Sequence, residues 1–120
     1  MSLARVILVE DEPLVAMMME DLLTDLGCEI AGSFGSLDAA LGWIDAQEEL
    51  PDGALLDVNL GGGETVFPLA EVLRRRGVPF VFATGYGALP SNDYPDTPLV
   101  RKPVEQEELL PLLRAFRSAA

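Results

Sequence analysis

Acidic, hydroxyl and basic side chains recur in this sequence at the points where apolar stretches end. Glu10 and Asp11 follow "RVILV", Asp57 ends "GALLD", Thr84 ends "FVFAT", and Lys102 follows "PLVR". Carboxylates that lie close together are costly to ionise unless a cation neutralises them. Carboxylate oxygens suit Mg²⁺, and an ammonium and a hydroxyl can bind phosphoryl oxygens. If these side chains converge, they favour Mg²⁺-dependent transfer of a phosphoryl group to the carboxylate of Asp57.

The hydrophobic pattern predicts elements that would bring these side chains together. Apolar runs of strand length alternate with stretches of helical period, which is typical of a parallel sheet with helices on both faces. The predicted strands are 5–9, 29–34, 53–58, 79–84 and 98–102, and the predicted helices are 13–27, 36–50, 65–76 and 104–118. Pro111 is expected to kink the last helix or to delay its start. Because all parallel strands end at the same edge, the polar residues should meet there.

Composition excludes several functional classes. Eight basic and 20 acidic residues give a net charge of −12, which argues against a nucleic-acid partner. The sequence contains no histidine, so Ser-His and Cys-His nucleophile pairs are excluded. Its single cysteine, Cys28, forms no internal disulfide and favours a reducing compartment. No apolar run is long enough to span a membrane, so we expect a cytoplasmic protein. The basic run Arg74–Arg76 is expected to complement the C-terminus of its own helix.

Four short motifs give the sequence a recognisable resemblance. They are "ILVEDE", "LLDVNL", "FAT" and "RKP", in that order along the chain. In these motifs and their spacing, the chain resembles the receiver domains of two-component response regulators over essentially its whole length. The resemblance implies a flavodoxin-like α/β fold, a three-layer sandwich with a five-stranded parallel sheet in the order 2-1-3-4-5. We expect residues 1–120 to form a single receiver domain without an output domain.

The resemblance also implies roles for the site residues. Asp57 would accept the phosphoryl group, Asp11 would bind Mg²⁺ directly, and Glu10, in place of the commoner aspartate, would act through water. Asn59 would offer its backbone carbonyl to the metal.

At the other two strand ends, Thr84 resembles the switch hydroxyl of the family, and Lys102 resembles its phosphoryl-binding lysine. The peptide bond between Lys102 and Pro103 would be cis.

Two features depart from the family pattern. Leu99 occupies the position of the usual aromatic switch residue, and the segment between Thr84 and Lys102 is short and rich in helix breakers. The breakers are Gly85, Gly87, Pro90, Pro95 and Pro98. We therefore expect the fourth helix of the family to be shortened or absent. "FATGYG" resembles a subset of mostly stand-alone receivers, in which Tyr86 could take over part of the aromatic role and residues 85–98 would form the output surface.

The absence of histidine requires an external phosphoryl donor. The resemblance implies a histidine kinase or a histidine phosphotransfer protein, docked on the first helix and on the loop after the fifth strand. The predicted docking residues are Glu12, Val15, Met18, Met19, Leu22 and Pro103. The alternative is that the apolar stripe of the first helix faces the core.

Other functional classes remain possible. A pseudo-receiver would keep the fold as an interaction module and need no phosphoryl group, and a small nucleotide- or flavin-binding protein would need a glycine-rich phosphate loop that the acidic 10–12 segment does not provide. Within the receiver class, the chain could bind a downstream effector protein or act as a phosphate sink. We expect a monomer, although a dimer remains possible.

Overall fold

The computed structural model describes residues 3–85 and 93–118. Five parallel strands form one sheet in the order β2-β1-β3-β4-β5, as the sequence predicts. The strands are β1 (Arg5–Val9), β2 (Glu29–Phe34), β3 (Gly53–Asp57), β4 (Phe80–Thr84) and β5 (Leu99–Arg101). The helices in the described residues are α1 (Pro13–Asp25), α2 (Leu37–Ala46), α3 (Phe67–Arg75) and α4 (Gln106–Ser118). None of these helices is long and apolar enough to cross a membrane.

The helices cover both faces of the sheet and give the three layers of a flavodoxin-like fold. Leu23 of α1 and Leu113 of α4 pack on one face, whereas Ile44 of α2 and Leu69 of α3 pack on the other. All residues of β3 and β4 are buried because these central strands contact a helical layer on each side. This arrangement places the carboxyl ends of β1, β3, β4 and β5 side by side.

The start of α1 and the end of α4 agree with the prediction, whereas the other helix boundaries differ from it by one to four residues. Helix α1 ends two residues early, and Gly27 follows it with a φ of 92°, which glycine adopts at little cost. Helix α2 begins after Ser36, whose hydroxyl accepts a hydrogen bond from the backbone N–H of Ala39 at 3.2 Å. Helix α4 contains Pro111 and begins at Gln106, two residues later than predicted.

The basic run lies at the C-terminus of its own helix, as predicted, with Arg74 and Arg75 in the last turn of α3, and it has a further role. Arg76 donates hydrogen bonds to the carbonyl oxygens of Ile44 (2.6 Å) and Gln47 (3.4 Å), at the C-terminal end of α2. Arg74 instead pairs with Glu71 on the surface of α3. The run therefore ties two neighbouring helices together, because Arg76 reaches the orphan carbonyls of α2.

The connection between β4 and β5 contains no helix in residues 93–98, which are its described part together with Gly85. The predicted shortening of the fourth helix otherwise concerns residues 86–92, which lie outside the described residues. Tyr94 is 6% exposed and packs against Phe67, Phe80 and Phe82. An aromatic cluster thus covers the sheet over β4.

Candidate functional site

The edge of the sheet at which the strands have their C-terminal ends forms an acidic cleft of about 450 Å³. Its lining residues come from the ends of β1, β3 and β5 and from the loops that follow β3 and β4: Asp11, Glu12, Asp57, Asn59, Gly61, Gly85 and Lys102. Glu10 is 2% exposed and lies beneath the cleft. The polar residues predicted to converge from separate strands are therefore neighbours in the fold.

Three carboxylates in the cleft could share one cation. Oxygen atoms of Glu10, Asp11 and Asp57 all lie within 4.8 Å of one another. Glu10 and Asp57 are buried and Asp11 is half-buried, so this cluster is poorly screened by water. Hard carboxylate oxygens at this separation fit the preference of Mg²⁺ for oxygen ligands, and the donor set is compatible with that ion.

Lys102 bridges two of these acids. Its Nζ atom lies 2.6 Å from Glu10 Oε2 and 3.1 Å from Asp57 Oδ1. Burial alone would lower the pKa of Lys102, but its hydrogen bonds to the two carboxylates raise it above the ordinary value. Lys102 therefore remains an ammonium and offsets part of the negative charge.

Asp57 is a perturbed acid. Burial, together with the nearby charge of Glu10, raises its pKa to about 7, against the opposing effect of its hydrogen bond with Lys102. A carboxyl group with a strongly shifted pKa at the edge of a cleft is a marker of functional sites. The charge on Asp57 is costly for the isolated fold, and a cation in the cluster would relieve this cost.

Thr84 ends β4 at the same edge. The register pairs Asp57 with Ala83, so Thr84 lies one residue beyond the partner of Asp57. Its side chain is buried, and its backbone oxygen accepts a hydrogen bond of 2.9 Å from the N–H of Lys102. The backbone thus fixes Thr84 beside Lys102. The Lys102–Pro103 peptide is cis, in agreement with the expectation from the resemblance.

No role was predicted from the sequence for the glycines in the loop after β3. Gly61 has a φ of 83°, and a Cβ atom there would lie 3.1 Å from Asp11 Oδ2. Any other residue would be strained and would press on the carboxylate. Asn59, beside Gly61 in the cleft wall, pairs with Thr65 in an isolated bridge that closes the loop. Three successive glycines in the sequence were the available signal for this close approach.

An apolar groove runs beside the acidic cleft, between α1 and the segment after β5. It has a volume of about 350 Å³ and is lined by Val15, Met18, Met19, Asp21, Leu22, Asp25, Lys102, Pro103 and Val104. The structure therefore brings most of the predicted docking residues to one concave surface.

Two of the predicted docking residues lie away from the exposed part of the groove. Met19 is only 4% exposed and packs in the core under α1, so it can form only the floor of the groove. Glu12 lines the acidic cleft rather than the groove. Met18, in contrast, is 63% exposed, and the similarly exposed Leu14 and Met17 extend the apolar outer face of α1.

Of the other two predicted switch residues, Tyr86 and Leu99, the structure describes only Leu99. Tyr86 falls outside the described residues. Leu99 is half-buried and packs against the core cluster that also contains Tyr94. Sequence reasoning assigned no role to Tyr94 and missed its place in the core. The polar residues around it in the sequence give no signal of the element that its ring contacts.

Comparison with known proteins supports one family. The model of the response regulator receiver domain matches residues 6–114. The chain belongs to this receiver family. A search of characterised protein sequences found no match.

Solved structures agree with this assignment. The solution structure of SdrG from Sphingomonas melonis Fr1 is 39% identical, with a TM-score of 0.81 over 97% of this chain and 98% of that chain. A BeF3-activated conformation of SdrG from Pseudomonas melonis Fr1 is 38% identical, with a TM-score of 0.79 over the same shares of 97% and 98%. The receiver domain of the Erythrobacter litoralis PhyR response regulator is 30% identical, with a TM-score of 0.78 over 94% of this chain and 88% of that chain. This receiver is therefore a signalling module of the two-component type.

Proposed function

We propose that this receiver accepts a phosphoryl group on Asp57 from a phosphohistidine of a partner protein. The observation that supports this most directly is the position of Asp57: its carboxylate is buried at the edge of an open cleft, 3.1 Å from the ammonium of Lys102 and beside two further carboxylates. A nucleophile next to a fixed positive charge suits phosphoryl transfer, in which positioning and electrostatics provide most of the catalysis.

The cation in this proposal is Mg²⁺, held by side-chain oxygens of Asp11 and Asp57, by Glu10 through water, and by the backbone carbonyl of Asn59. When bound, it would neutralise charge on the carboxylates and on the incoming phosphoryl oxygens. The residues of the chain contribute in other ways. Glu10 keeps Lys102 within reach of Asp57, and the backbone of Gly61 leaves room around Asp11.

The bonds that form and break in the proposed transfer belong to Asp57 and to the phosphohistidine of the partner. A carboxylate oxygen of Asp57 attacks the phosphorus atom, a P–O bond forms as the P–N bond of the phosphohistidine breaks, and the imidazole nitrogen leaves with the electron pair. Lys102 and the hydroxyl of Thr84 would bind the transferred phosphoryl oxygens. Later attack by water would release phosphate and restore Asp57.

The donor in this proposal is a histidine kinase or a histidine phosphotransfer protein that occupies the groove beside α1. The groove adjoins the cleft through Lys102, which lines both cavities. Its apolar floor would bury side chains of the partner, and Asp21 and Asp25 would favour basic residues on it. We further propose that the receiver acts in the cytoplasm, either on a downstream effector protein or as a phosphate sink.

Intact mass spectrometry tests the central step. We expect the mass of the wild-type chain to increase by one phosphoryl group after incubation with Mg²⁺ and acetyl phosphate. The increase should be absent in Asp57→Asn and in the presence of EDTA. The matched control is Asp45→Asn, which removes an exposed carboxylate on α2 and should leave the adduct unchanged. A wild-type chain that never forms the adduct would contradict the proposal and favour a phosphorylation-independent interaction module.

A further inference from the structure

Tyr94 joins two elements that both lead to the acidic cleft. Its ring stacks on Phe67, the first residue of α3, with ring centroids 5.3 Å apart and an interplanar angle of 12°. The same ring meets Phe82 of β4 edge-on, at 5.3 Å and 83°. Phe67 and Phe82 also contact each other at 5.7 Å, so the three rings form one closed set. Such pairs stabilise a fold by about 0.5–1.5 kcal/mol each beyond their buried area.

Polar contacts hold the other end of the ring. The hydroxyl of Tyr94 donates a hydrogen bond to Glu71 Oε2, which also pairs with the guanidinium of Arg74. The Cζ atom of Arg74 lies 4.8 Å from the centre of the Tyr94 ring, and its Nη1 donates to the carbonyl oxygen of Asp93 at 3.2 Å. Helix α3 therefore binds residues 93 and 94 through hydrogen bonds of its charged side chains and through stacking.

Each of the two contacted elements reaches the cleft within a few residues. Phe82 precedes Thr84 by two positions on β4. The residue before Phe67, Val66, donates its N–H to the carbonyl oxygen of Val58 at 3.0 Å, and Val58 directly follows Asp57. A small shift of Thr84 would move Phe82, and a small shift of Val58 would move Phe67. Both rings contact Tyr94. Because the rings are close-packed, they respond to such a shift by adopting a different packing arrangement rather than by deforming gradually.

We propose that Tyr94 is the aromatic switch residue of this receiver, held by α3 while Asp57 is unmodified and released from Glu71 and Phe67 when Asp57 is phosphorylated. In the structure, Lys102 contacts Asp57 Oδ1 itself. A phosphoryl group would compete for that ammonium. The proposal rests on the proposed phosphorylation of Asp57. It assigns to Tyr94 the role of the usual aromatic switch residue, which Leu99 on β5 cannot perform.

Fluorine NMR of the chain labelled with 3-fluorotyrosine can follow Tyr94 directly. The sequence contains two tyrosines, so Tyr94→Phe assigns the two signals. We expect the signal of Tyr94 to shift when Mg²⁺ and beryllium fluoride, a small mimic of the phosphoryl group, are added. Asp57→Asn should show no such shift.

The affinity for beryllium fluoride distinguishes a switch role of Tyr94 from a purely structural role. If the hydroxyl of Tyr94 favours the unmodified conformation, Tyr94→Phe should bind beryllium fluoride about 3–10-fold more tightly than the wild type. Phe80→Leu is the matched control, because it disturbs the same aromatic cluster at the far end of β4 and should leave the affinity unchanged.

The two proposals fail in different ways. A phosphoryl adduct on Asp57 with an unshifted Tyr94 signal, or with unchanged affinity in Tyr94→Phe, would overturn the switch and leave the proposed function intact. The absence of any adduct would overturn both.

Discussion

At the scale of single residues, the acidic cleft holds several negative charges close together, and a bound cation would relieve their repulsion. Glu10 is fully buried as a side chain, and its partner Lys102 also has to serve Asp57. One ammonium cannot fully compensate the neighbouring carboxylates, which is why the pKa of Asp57 rises to about 7 although Lys102 is adjacent. In the proposed function, a cation and a phosphoryl group would relieve this unfavourable charge.

Asp57→Asn should therefore stabilise the fold at neutral pH in the presence of EDTA. Burial raises the pKa of folded Asp57 to about 7, whereas an unfolded aspartate titrates near about 4. Wild-type stability consequently falls as pH rises between these values, because the folded chain retains a proton that the unfolded chain has lost. Asparagine has no such titration. We expect Asp57→Asn to gain roughly 1–3 kcal/mol at pH 8 and little at pH 4, measured by urea unfolding.

The control for this experiment is Asp45→Asn, which removes one charge from an exposed position of α2. A gain of equal size in both variants would indicate a general effect of net charge. A loss of stability in Asp57→Asn at pH 8 would contradict the assigned electrostatics.

The sequence was sufficient to predict which residues meet at the cleft, but not how they contact one another. Asp57 and Lys102 were predictable because the ends of parallel strands converge. The direct bond between Lys102 and Glu10 was not, because it depends on side-chain burial at the end of β1. Tyr94 was missed for a similar reason: nothing in its local segment shows that the ring reaches α3.

At the scale of elements, the alternation of strands and helices followed from hydrophobic period and the strand order from the family resemblance, whereas helix ends depended on tertiary contacts. The prediction extended α2 to residue 50, but the helix ends at Ala46, and Arg76 of another element binds its last carbonyl groups. A cap supplied by a residue 32 positions away leaves no local signal in the sequence.

Two glycines allow a matched test of how the layers pack. A Cβ atom on Gly53, at the start of β3, would lie 2.3 Å from the ring of Phe116 on α4. Gly53→Ala should therefore force α4 away and lower the free energy of unfolding by about 1–3 kcal/mol. A Cβ atom on Gly42, in the middle of α2, would meet nothing within 4 Å. Gly42→Ala should raise the free energy of unfolding by about 0.5–1 kcal/mol.

Chemical denaturation of both variants under one condition measures these opposite signs. If Gly53→Ala were as stable as the wild type, α4 would have to pack more loosely on β3 than the structure shows. Destabilisation by Gly42→Ala would instead contradict the exposed, regular helix at that position.

At the scale of the whole molecule, net charge and surface shape favour one kind of partner surface. The chain has a net charge of −12, and the apolar groove beside α1 contains Asp21 and Asp25 among its lining residues. A partner with apolar side chains framed by basic residues would complement both features. The groove adjoins the cleft, so a partner seated there would have its phosphohistidine near Asp57.

Two neighbouring methionines allow this docking geometry to be tested. Met17 and Met18 are similarly exposed, at 60% and 63%, but only Met18 lines the groove. We expect Met18→Glu to slow phosphoryl transfer at least tenfold from a kinase or phosphotransfer protein that phosphorylates the wild type, because a buried unpaired charge costs more than about 1.4 kcal/mol at a docking surface. Met17→Glu should have a much smaller effect, and phosphorylation by acetyl phosphate should remain unchanged in both variants. Equal slowing by the two substitutions would place the partner on the outer face of α1 instead, whereas slower reaction with acetyl phosphate would show that the substitution had damaged the cleft itself.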